Sequence, residues 1–217
     1  MLIRGAKVAI AANLHPMRAA IVATAVTDWR SGVPNALTTG RVLALPALVS
    51  AFYQCPGNMT AIIFTACAFT DWLDGYLARR WRVHSAFGAF LDPVADKLLV
   101  CTCLVLLSGA LGAVVALPTA VIVGREVSVS ALRAWMGAQG ASSSVAVSWW
   151  GKVKTATQMS ALLLLLLAEA ATSASRSLLL TRCGLSLLYV ATALTVTSAT
   201  GYVRDAWPLL VAAPKAS

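Results

Sequence analysis

The sequence predicts an all-α, polytopic membrane protein: one bundle of six transmembrane helices. Two properties of the 217-residue chain lead to this fold class. Hydrophobic residues make up 59% of it and charged residues only 12%, whereas roughly a quarter of a soluble domain is charged. The apolar residues also fall into six runs, and a helix needs roughly 20 apolar residues to cross a bilayer. A chain of this composition has too little polar surface to be a soluble domain.

The six apolar runs divide the chain in order. A preface over residues 1–33 carries Arg4, Lys7 and Arg18 before any acidic residue. It fits either an organelle-targeting segment or an amphipathic helix on the membrane surface. A membrane domain is predicted over residues 34–205, followed by a tail over residues 206–217. We place the six spans at residues 37–56, 59–78, 90–109, 113–135, 153–171 and 178–201.

The distribution of basic residues predicts the orientation. The net charge is +9. If the N-terminus is cytosolic, the loops on the other side receive only Arg176 and Arg182, and all other basic residues after the preface fall on the cytosolic side. Lysine and arginine are retained on that side of a membrane, or in the matrix or stroma of an organelle. The positive charge therefore indicates contact with an anionic lipid surface, and we expect no nucleic-acid partner.

Four of the chain's eight acidic residues lie in one short stretch. Asp71 and Asp74 come at the end of the second span, and Asp92 and Asp96 come at the start of the third. Their i,i+3 and i,i+4 spacings place each pair on one helix face. One carboxylate at mid-bilayer costs about 2.5–3.5 kcal/mol, so four of them need the interface or a neutralising partner. Carboxylates suit Mg²⁺ or Mn²⁺, and four suit two ions. The alternative is a belt of ion pairs with the neighbouring basic residues.

Basic residues further along the chain predict a phosphate site beside these aspartates. Arg125 and Arg133 are eight residues apart in an apolar run, which places them on roughly one helix face, and Lys152 opens the fifth span at the same level. Guanidinium groups bind phosphate bidentately. Lys154 and the run from Arg80 to Arg82, by contrast, are expected to anchor the helices at the membrane surface.

The acidic stretch resembles the signature of the CDP-alcohol phosphotransferases, at every position of the pattern Asp71-x2-Asp74-Gly75-x2-Ala78-Arg79-x8-Gly88-x3-Asp92-x3-Asp96. Pro34 to Thr38, with Arg41 and Pro46, is similar to the family's first-helix motif. Arg125-Glu126-Val127 and Gly151-Lys152-Val153-Lys154-Thr155 resemble stretches of its phosphatidylglycerophosphate synthases, with plant and algal organellar forms closest. The resemblance covers residues 33–205.

The resemblance implies a six-helix homodimer whose site opens to the cytosolic face. It also implies that CDP-diacylglycerol and sn-glycerol 3-phosphate react to give phosphatidylglycerophosphate and CMP. Its location would be the plastid or the mitochondrial inner membrane in a eukaryote and the inner membrane in a bacterium. Carried over by motif, the metal ligands would be Asp71, Asp74, Asp92 and Asp96, the last of which would also serve as the catalytic base. The residues expected to bind CDP-diacylglycerol are Asn35, Thr38, Gly75, Ala78, Arg79 and Ser85. Those expected to bind the phosphate of glycerol 3-phosphate are Arg125, Arg133 and Lys152.

Three alternatives remain at this point. A cardiolipin synthase or phosphatidylinositol synthase shares the same aspartate pattern, although the Arg125 and Gly151 stretches favour a phosphatidylglycerophosphate synthase. A cation transporter would need charges at mid-membrane on several spans, and here they collect at one face. A non-catalytic lipid-binding scaffold would leave the retained aspartates unexplained.

Overall fold

The computed structural model describes residues 29–54, 58–81, 86–138 and 149–211. Within these ranges the chain is helical, with no strand. The helices are α1 (Trp29–Gln54), α2 (Met59–Trp81), α3 (Ala86–Leu111), α4 (Ala113–Ala138), α5 (Trp149–Glu169) and α6 (Ala174–Val211). The all-α prediction is confirmed. The preface up to residue 28 and the second half of the predicted tail, residues 212–217, lie outside the described residues.

Four of the helices are long and apolar enough to cross a membrane. These stretches are Gly32–Gln54, Phe90–Leu111, Ala113–Gly137 and Ala174–Gly201, and they match four of the predicted spans. The other two predicted spans, over residues 59–78 and 153–171, form α2 and α5. Aspartates in α2 and lysines in α5 lower the mean hydropathy of these helices, so length and composition identify a membrane protein but not six crossings.

The outer surface of the bundle is apolar, as a lipid-facing surface must be. Exposed side chains include Leu43, Phe90, Leu117 and Leu179, each more than half accessible. On α2, an exposed aromatic ladder runs along one face, with the rings of Trp72 and Tyr76 stacked at 5.7 Å. Large contiguous apolar surfaces are rare on soluble monomers. The exposed faces therefore agree with the membrane assignment made from composition.

Helix α1 lies at the centre of the part of the fold that carries the aspartates. It packs along both α2 and α3, whereas α2 and α3 touch each other only slightly. Helix α4 joins α3 to α6, and α5 packs along α6 while also touching α2 and α3. The interior is filled by large apolar side chains: Leu48, Phe64, Leu99, Leu104, Leu107, Ile122, Leu162, Leu165 and Leu188.

One glycine permits a tight turn between helices, and another permits two helices to pack closely. Gly112 alone connects α3 to α4 with a φ of 70°, a conformation that glycine adopts without the strain a side chain would cause. Its N–H donates to the Ser108 carbonyl at 3.0 Å. Gly184 lets α6 approach α5, since a Cβ there would lie 2.8 Å from Leu165 and 3.3 Å from the Ala161 carbonyl oxygen.

Candidate active site

The four predicted aspartates meet at one end of the bundle. Asp71 and Asp74 lie on α2, and Asp92 and Asp96 lie on α3. The Asp74 side chain is buried at 6% exposure, whereas those of Asp71 and Asp96 are 37% and 49% exposed. Because α2 and α3 make little direct contact, side chains of α1 connect the two pairs. The sequence predicted the convergence but not the helix that brings it about.

Thr38 of α1 is the first of these connecting side chains. Its Oγ1 lies 2.6 Å from Asp92 Oδ1 and 3.2 Å from Asp74 Oδ2, and 3.1 Å from the Pro34 carbonyl oxygen. A hydroxyl has one proton to donate, and the shortest contact assigns that proton to Asp92. Thr38 thus lies between Asp74 of one pair and Asp92 of the other, and it keeps these two carboxylates close together. It is buried, at 1% exposure.

Arg41, one turn further along α1, is the second. Its Nη1 contacts Asp71 Oδ1 at 2.7 Å and also Asp96 Oδ1, and its Nη2 contacts Asp74 Oδ2 at 2.5 Å. The side chain is fully buried. The sequence interpretation counted Arg41 among the basic residues of the cytosolic side and in the first-helix motif, and missed this role. Its signal was an arginine inside an apolar run, three residues after Thr38 and so on the same helix face.

The oxygen atoms of this cluster are of the kind that bind a divalent metal, although their present arrangement would not hold one. Four carboxylates and a threonine hydroxyl are the hard oxygen ligands that Mg²⁺ and Mn²⁺ prefer. Within the described part of the chain, no three acidic, histidine or cysteine side chains are grouped so as to hold one ion. The guanidinium of Arg41 instead links three of the carboxylates. Metal ligation by the four aspartates stays a prediction.

Most of the residues predicted to bind CDP-diacylglycerol lie at the same end of the bundle. Gly75, Ala78 and Arg79 follow Asp74 on α2, and Asn35 lies one turn before Thr38 on α1. Arg79 is exposed, and its Nη1 lies 3.4 Å from where a Cβ on Gly75 would stand. Ser85 lies outside the described residues.

A cavity of about 240 Å³ opens beside the aspartates. It is lined by Pro93, Asp96, Lys97, Val100, Cys101, Glu126, Lys154, Thr155, Gln158 and Met159. Asp96 therefore belongs both to the aspartate cluster and to the cavity wall. Two lysines in its wall offer contacts to an anion, beside the carboxylates of Asp96 and Glu126.

Glu126 of α4 contacts a basic residue on its own helix and one on α5. Its Oε1 accepts hydrogen bonds from Lys154 Nζ of α5 at 2.6 Å and from Arg125 Nη1 at 2.8 Å. Arg125 Nη2 also donates to Ser198 Oγ of α6 at 2.9 Å. Lys154 was expected to be a surface anchor; this interpretation was wrong, because its side chain is only 9% exposed and faces the cavity. A lone glutamate in an apolar run, which needs a cation, was the signal that pointed to this pair.

Of the three residues predicted to bind the acceptor phosphate, Arg125 and Arg133 do not line this cavity. Arg125 instead donates a hydrogen bond to Glu126, one of the residues in the cavity wall. Arg133 is an exposed residue two turns further along α4, near enough to Lys154 for their charges to interact. Lys152 lies on α5, and its side chain is outside the described part of the structure. Arg125 and Arg133 are therefore close to the cavity, and among the described side chains Lys97 and Lys154 are the basic ones that line it.

Comparison with known proteins identifies the family. A family profile described as CDP-alcohol phosphatidyltransferase matches residues 31–204. A protein of Salmonella choleraesuis (strain SC-B67), named CDP-diacylglycerol–glycerol-3-phosphate 3-phosphatidyltransferase, is 44% identical over 178 residues, which cover 80% of this chain and 94% of that protein.

Two plant proteins are similarly close. CDP-diacylglycerol–glycerol-3-phosphate 3-phosphatidyltransferase 1, chloroplastic/mitochondrial, of Arabidopsis thaliana is 46% identical over 193 residues, 82% of this chain and 64% of that protein. A rice (Oryza sativa subsp. japonica) protein named cardiolipin synthase (CMP-forming) is 43% identical over 193 residues, 82% of this chain and 58% of that protein. The chain thus spans about three fifths of these two plant relatives and nearly all of the bacterial one.

Proposed function

The chain belongs to the CDP-alcohol phosphatidyltransferase family, and we propose that it transfers the phosphatidyl group of CDP-diacylglycerol to sn-glycerol 3-phosphate. The products are phosphatidylglycerophosphate and CMP. One observation carries this assignment: Asp96 lies both in the aspartate cluster and in the wall of a lysine-lined cavity. A donor headgroup at the cluster and an anionic acceptor in the cavity would meet at this carboxylate. The names of the Arabidopsis and Salmonella relatives support the same acceptor.

The reaction needs one bond formed, one broken and one proton removed. The acceptor hydroxyl oxygen attacks the phosphorus that bears the diacylglycerol, and the bond from that phosphorus to the CMP oxygen breaks. CMP leaves with the electron pair, and the acceptor hydroxyl gives up its proton. We assign that proton to Asp96, because a general base must lie within hydrogen-bond reach of the attacking group. Its half-exposed carboxylate faces the cavity in which the acceptor would lie.

Members of this family use divalent metal ions, and we propose two Mg²⁺ or Mn²⁺ ions on this chain. The residues that would hold them are Asp71, Asp74, Asp92 and Asp96, whose oxygens have the chemistry such ions require. Bound ions would neutralise the diphosphate and the departing CMP. The burial of Asp74 and its contact with Thr38 support its place in this ligand set, because they hold its carboxylate at the cluster.

The CDP moiety would lie over the first turns of α1 and the end of α2. Gly75 leaves space between α2 and Arg79, whose exposed guanidinium is available to a phosphate oxygen. The further residues proposed to line this donor site are Asn35, Thr38, Ala78 and Ser85. The lipid tails would remain in the bilayer beside the apolar outer faces of the helices.

The acceptor phosphate would lie in the cavity, near Lys97 and Lys154. Arg125 and Arg133 would add positive charge from α4, and Lys152 from the start of α5. Lys154 is now held by Glu126 at 2.6 Å, so an arriving phosphate would share this lysine with the glutamate. A carboxylate at the back of the cavity also disfavours an anion that penetrates too deeply, because like charges repel.

A second candidate function is cardiolipin synthesis, in which phosphatidylglycerol is the acceptor. The 43% identity to a rice protein of that name favours it specifically. A phosphatidylinositol synthase is a third, less favoured candidate. All three reactions use the same donor and aspartates, so the acceptor cavity alone separates them. Two lysines in its wall, of which Lys154 is only 9% exposed, favour a small anionic acceptor over a second lipid.

We also propose six membrane crossings, with α2 and α5 completing the set, and a membrane domain over residues 34–205. The N-terminus and the aspartates would face the cytosol, matrix or stroma, by the positive-inside rule. A plastid or mitochondrial inner membrane would be the location in a eukaryote, which the chloroplastic/mitochondrial relative supports, and the inner membrane in a bacterium. The functional unit would be a homodimer.

The experiment that tests the function compares acceptors. The full chain, purified in detergent, is given CDP-diacylglycerol, Mg²⁺ or Mn²⁺, and in turn glycerol 3-phosphate, phosphatidylglycerol or inositol. We expect lipid product and CMP release with glycerol 3-phosphate. Product with phosphatidylglycerol alone would replace the proposal by cardiolipin synthesis, and no product with any acceptor from folded protein would refute both.

A further inference from the structure

Arg41 is the one described cation at the centre of the aspartate cluster, and the proposed reaction gives it no role. It is a fully buried side chain in contact with three carboxylates, and Thr38 connects it to the fourth. Burying a single charge costs several kcal/mol unless it is paired. Here the pairing exceeds what one cation needs, because three carboxylates share one guanidinium.

The hydrogen bonding of Arg41 is nevertheless incomplete. Its Nε is buried and has no acceptor among the residues that the structure describes. A buried donor without a partner is costly, and in a settled structural ion pair all five guanidinium protons usually find acceptors. The side chain is therefore held by the negative charge of the cluster and not by a complete set of hydrogen bonds.

The oxygens that Arg41 occupies are those that a divalent ion would need. Asp71 Oδ1, Asp74 Oδ2 and Asp96 Oδ1 all face its two terminal nitrogens. Carboxylate–metal distances of about 2.0–2.2 Å leave no room for a guanidinium between the same oxygens. Arg41 and the ions therefore compete for one set of ligands.

We propose that Arg41 is a positioning residue of the catalytic centre: it gathers the aspartates before the divalent ions bind, and it sets the affinity for these ions by competing with them. This inference rests on the proposed metal-dependent function. Without the guanidinium, four carboxylates would repel one another and spread apart. With it, they stay gathered, and the entering ion must displace one cation from an already assembled site.

The test measures Mn²⁺ binding to the full chain in detergent, without lipid substrate, by electron paramagnetic resonance of the free ion. The variants are Arg41→Gln, which removes the charge, and Arg41→Lys, which keeps the charge but cannot bridge three carboxylates. Arg182→Gln is the matched control, because Arg182 is exposed on α6, outside the site. Melting temperatures are recorded for each protein in a chelator and in saturating Mn²⁺.

In Arg41→Gln the charge of the entering Mn²⁺ itself gathers the carboxylates, so the lost competition outweighs the lost gathering. We expect a Kd for Mn²⁺ at least about tenfold lower than that of the wild type, since at least one charge-assisted contact no longer opposes the ion. The Kd of Arg41→Lys should lie between those of Arg41→Gln and the wild type, and the Kd of Arg182→Gln should equal that of the wild type. In the chelator, Arg41→Gln should melt below the wild type, and Mn²⁺ should raise its melting temperature by a larger increment. A purely structural arginine would lower both melting temperatures equally and leave the Kd unchanged.

Unchanged or weaker Mn²⁺ binding by Arg41→Gln would overturn the proposal, as would a wild type that binds no Mn²⁺. If Arg41→Gln does not fold, Arg41→Lys decides the matter: tighter binding than wild type supports competition, and equal or weaker binding contradicts it. The Mn²⁺ binding experiment needs no lipid, so its result is independent of the activity assay. If the wild type binds Mn²⁺ as expected but makes no phosphatidylglycerophosphate in the activity assay, only the proposed function is contradicted.

Discussion

Replacing Glu126 by glutamine should destabilise the protein far more than removal of an exposed carboxylate does. The change leaves two cations, Lys154 and Arg125, beside each other without the carboxylate that both contact at 2.6 and 2.8 Å. Removing one partner of a buried ion pair costs about 3–5 kcal/mol. The side chains of Glu126, Lys154 and Arg125 are 19%, 9% and 13% exposed, and Arg125 keeps its bond to Ser198. The lower end, about 3 kcal/mol, therefore applies.

The assay is thermal unfolding of the purified chain in detergent. For a chain of this size, about 3 kcal/mol corresponds to a fall in melting temperature of roughly 6–12 °C. Glu169→Gln is the control: this glutamate is exposed at the end of α5, and its loss should change stability by less than about 0.5 kcal/mol. The double variant Glu126→Gln/Lys154→Met should recover much of the loss, because it removes the unpaired lysine as well. Equal melting temperatures for Glu126→Gln and Glu169→Gln would refute the reasoning. So would a double variant that melts no higher than Glu126→Gln alone.

The remaining predictions concern the acceptor and the packing of α5 on α6. Lys154→Gln should raise the KM for glycerol 3-phosphate about tenfold or more, as expected when a contact with a charged group is lost. Arg133→Ala should raise it by a smaller factor, because Arg133 lies outside the cavity wall. Both should change the KM for CDP-diacylglycerol little, and equal effects on both substrates would rule out the acceptor assignment. Gly184→Ala should destabilise by about 1–3 kcal/mol in thermal unfolding, since its Cβ would overlap Leu165. Gly201→Ala in the same helix meets nothing within 4 Å and should be neutral or stabilising; a reversed order would contradict this packing.

The positions of the helices could be predicted from the sequence, because an apolar run long enough to cross a bilayer is recognised by its length and composition. All six apolar runs form helices, and the break at Gly112 lies between the predicted spans over residues 90–109 and 113–135. The ends differ by several residues: α1 begins at Trp29, before the predicted span at residue 37. Pro34 lies inside α1, in its second turn, so the helix continues through a proline that removes one intrahelical hydrogen bond, and it begins well before the apolar run does.

The candidate site was only partly predictable, for a physical reason. Spacing along one helix places Asp71 beside Asp74 and Asp92 beside Asp96, because i,i+3 and i,i+4 neighbours share a face. Contacts between helices far apart in sequence have no such rule. The two ion pairs that were missed, Arg41 with the aspartates and Lys154 with Glu126, join residues about 30 or more positions apart.

The same missed contacts change how the charges are interpreted. Arginine and lysine near a membrane surface are usually anchors, and that rule placed Arg41 and Lys154 in one class. Burial separates them from the anchors, because both side chains are less than a tenth exposed. A charged residue within an apolar run is therefore better treated as one half of a pair whose other half must be found.

The most direct test of the central claim is phosphatidylglycerophosphate formation by the wild type and Asp96→Asn side by side. Labelled glycerol 3-phosphate, CDP-diacylglycerol and Mn²⁺ are supplied to the full chain in detergent, with a chelator-treated sample in parallel. The account predicts product from the wild type, none in the chelator, and a loss of at least about a hundredfold for Asp96→Asn, the usual contribution of a general base. Full activity of Asp96→Asn, or product in the chelator, would contradict it.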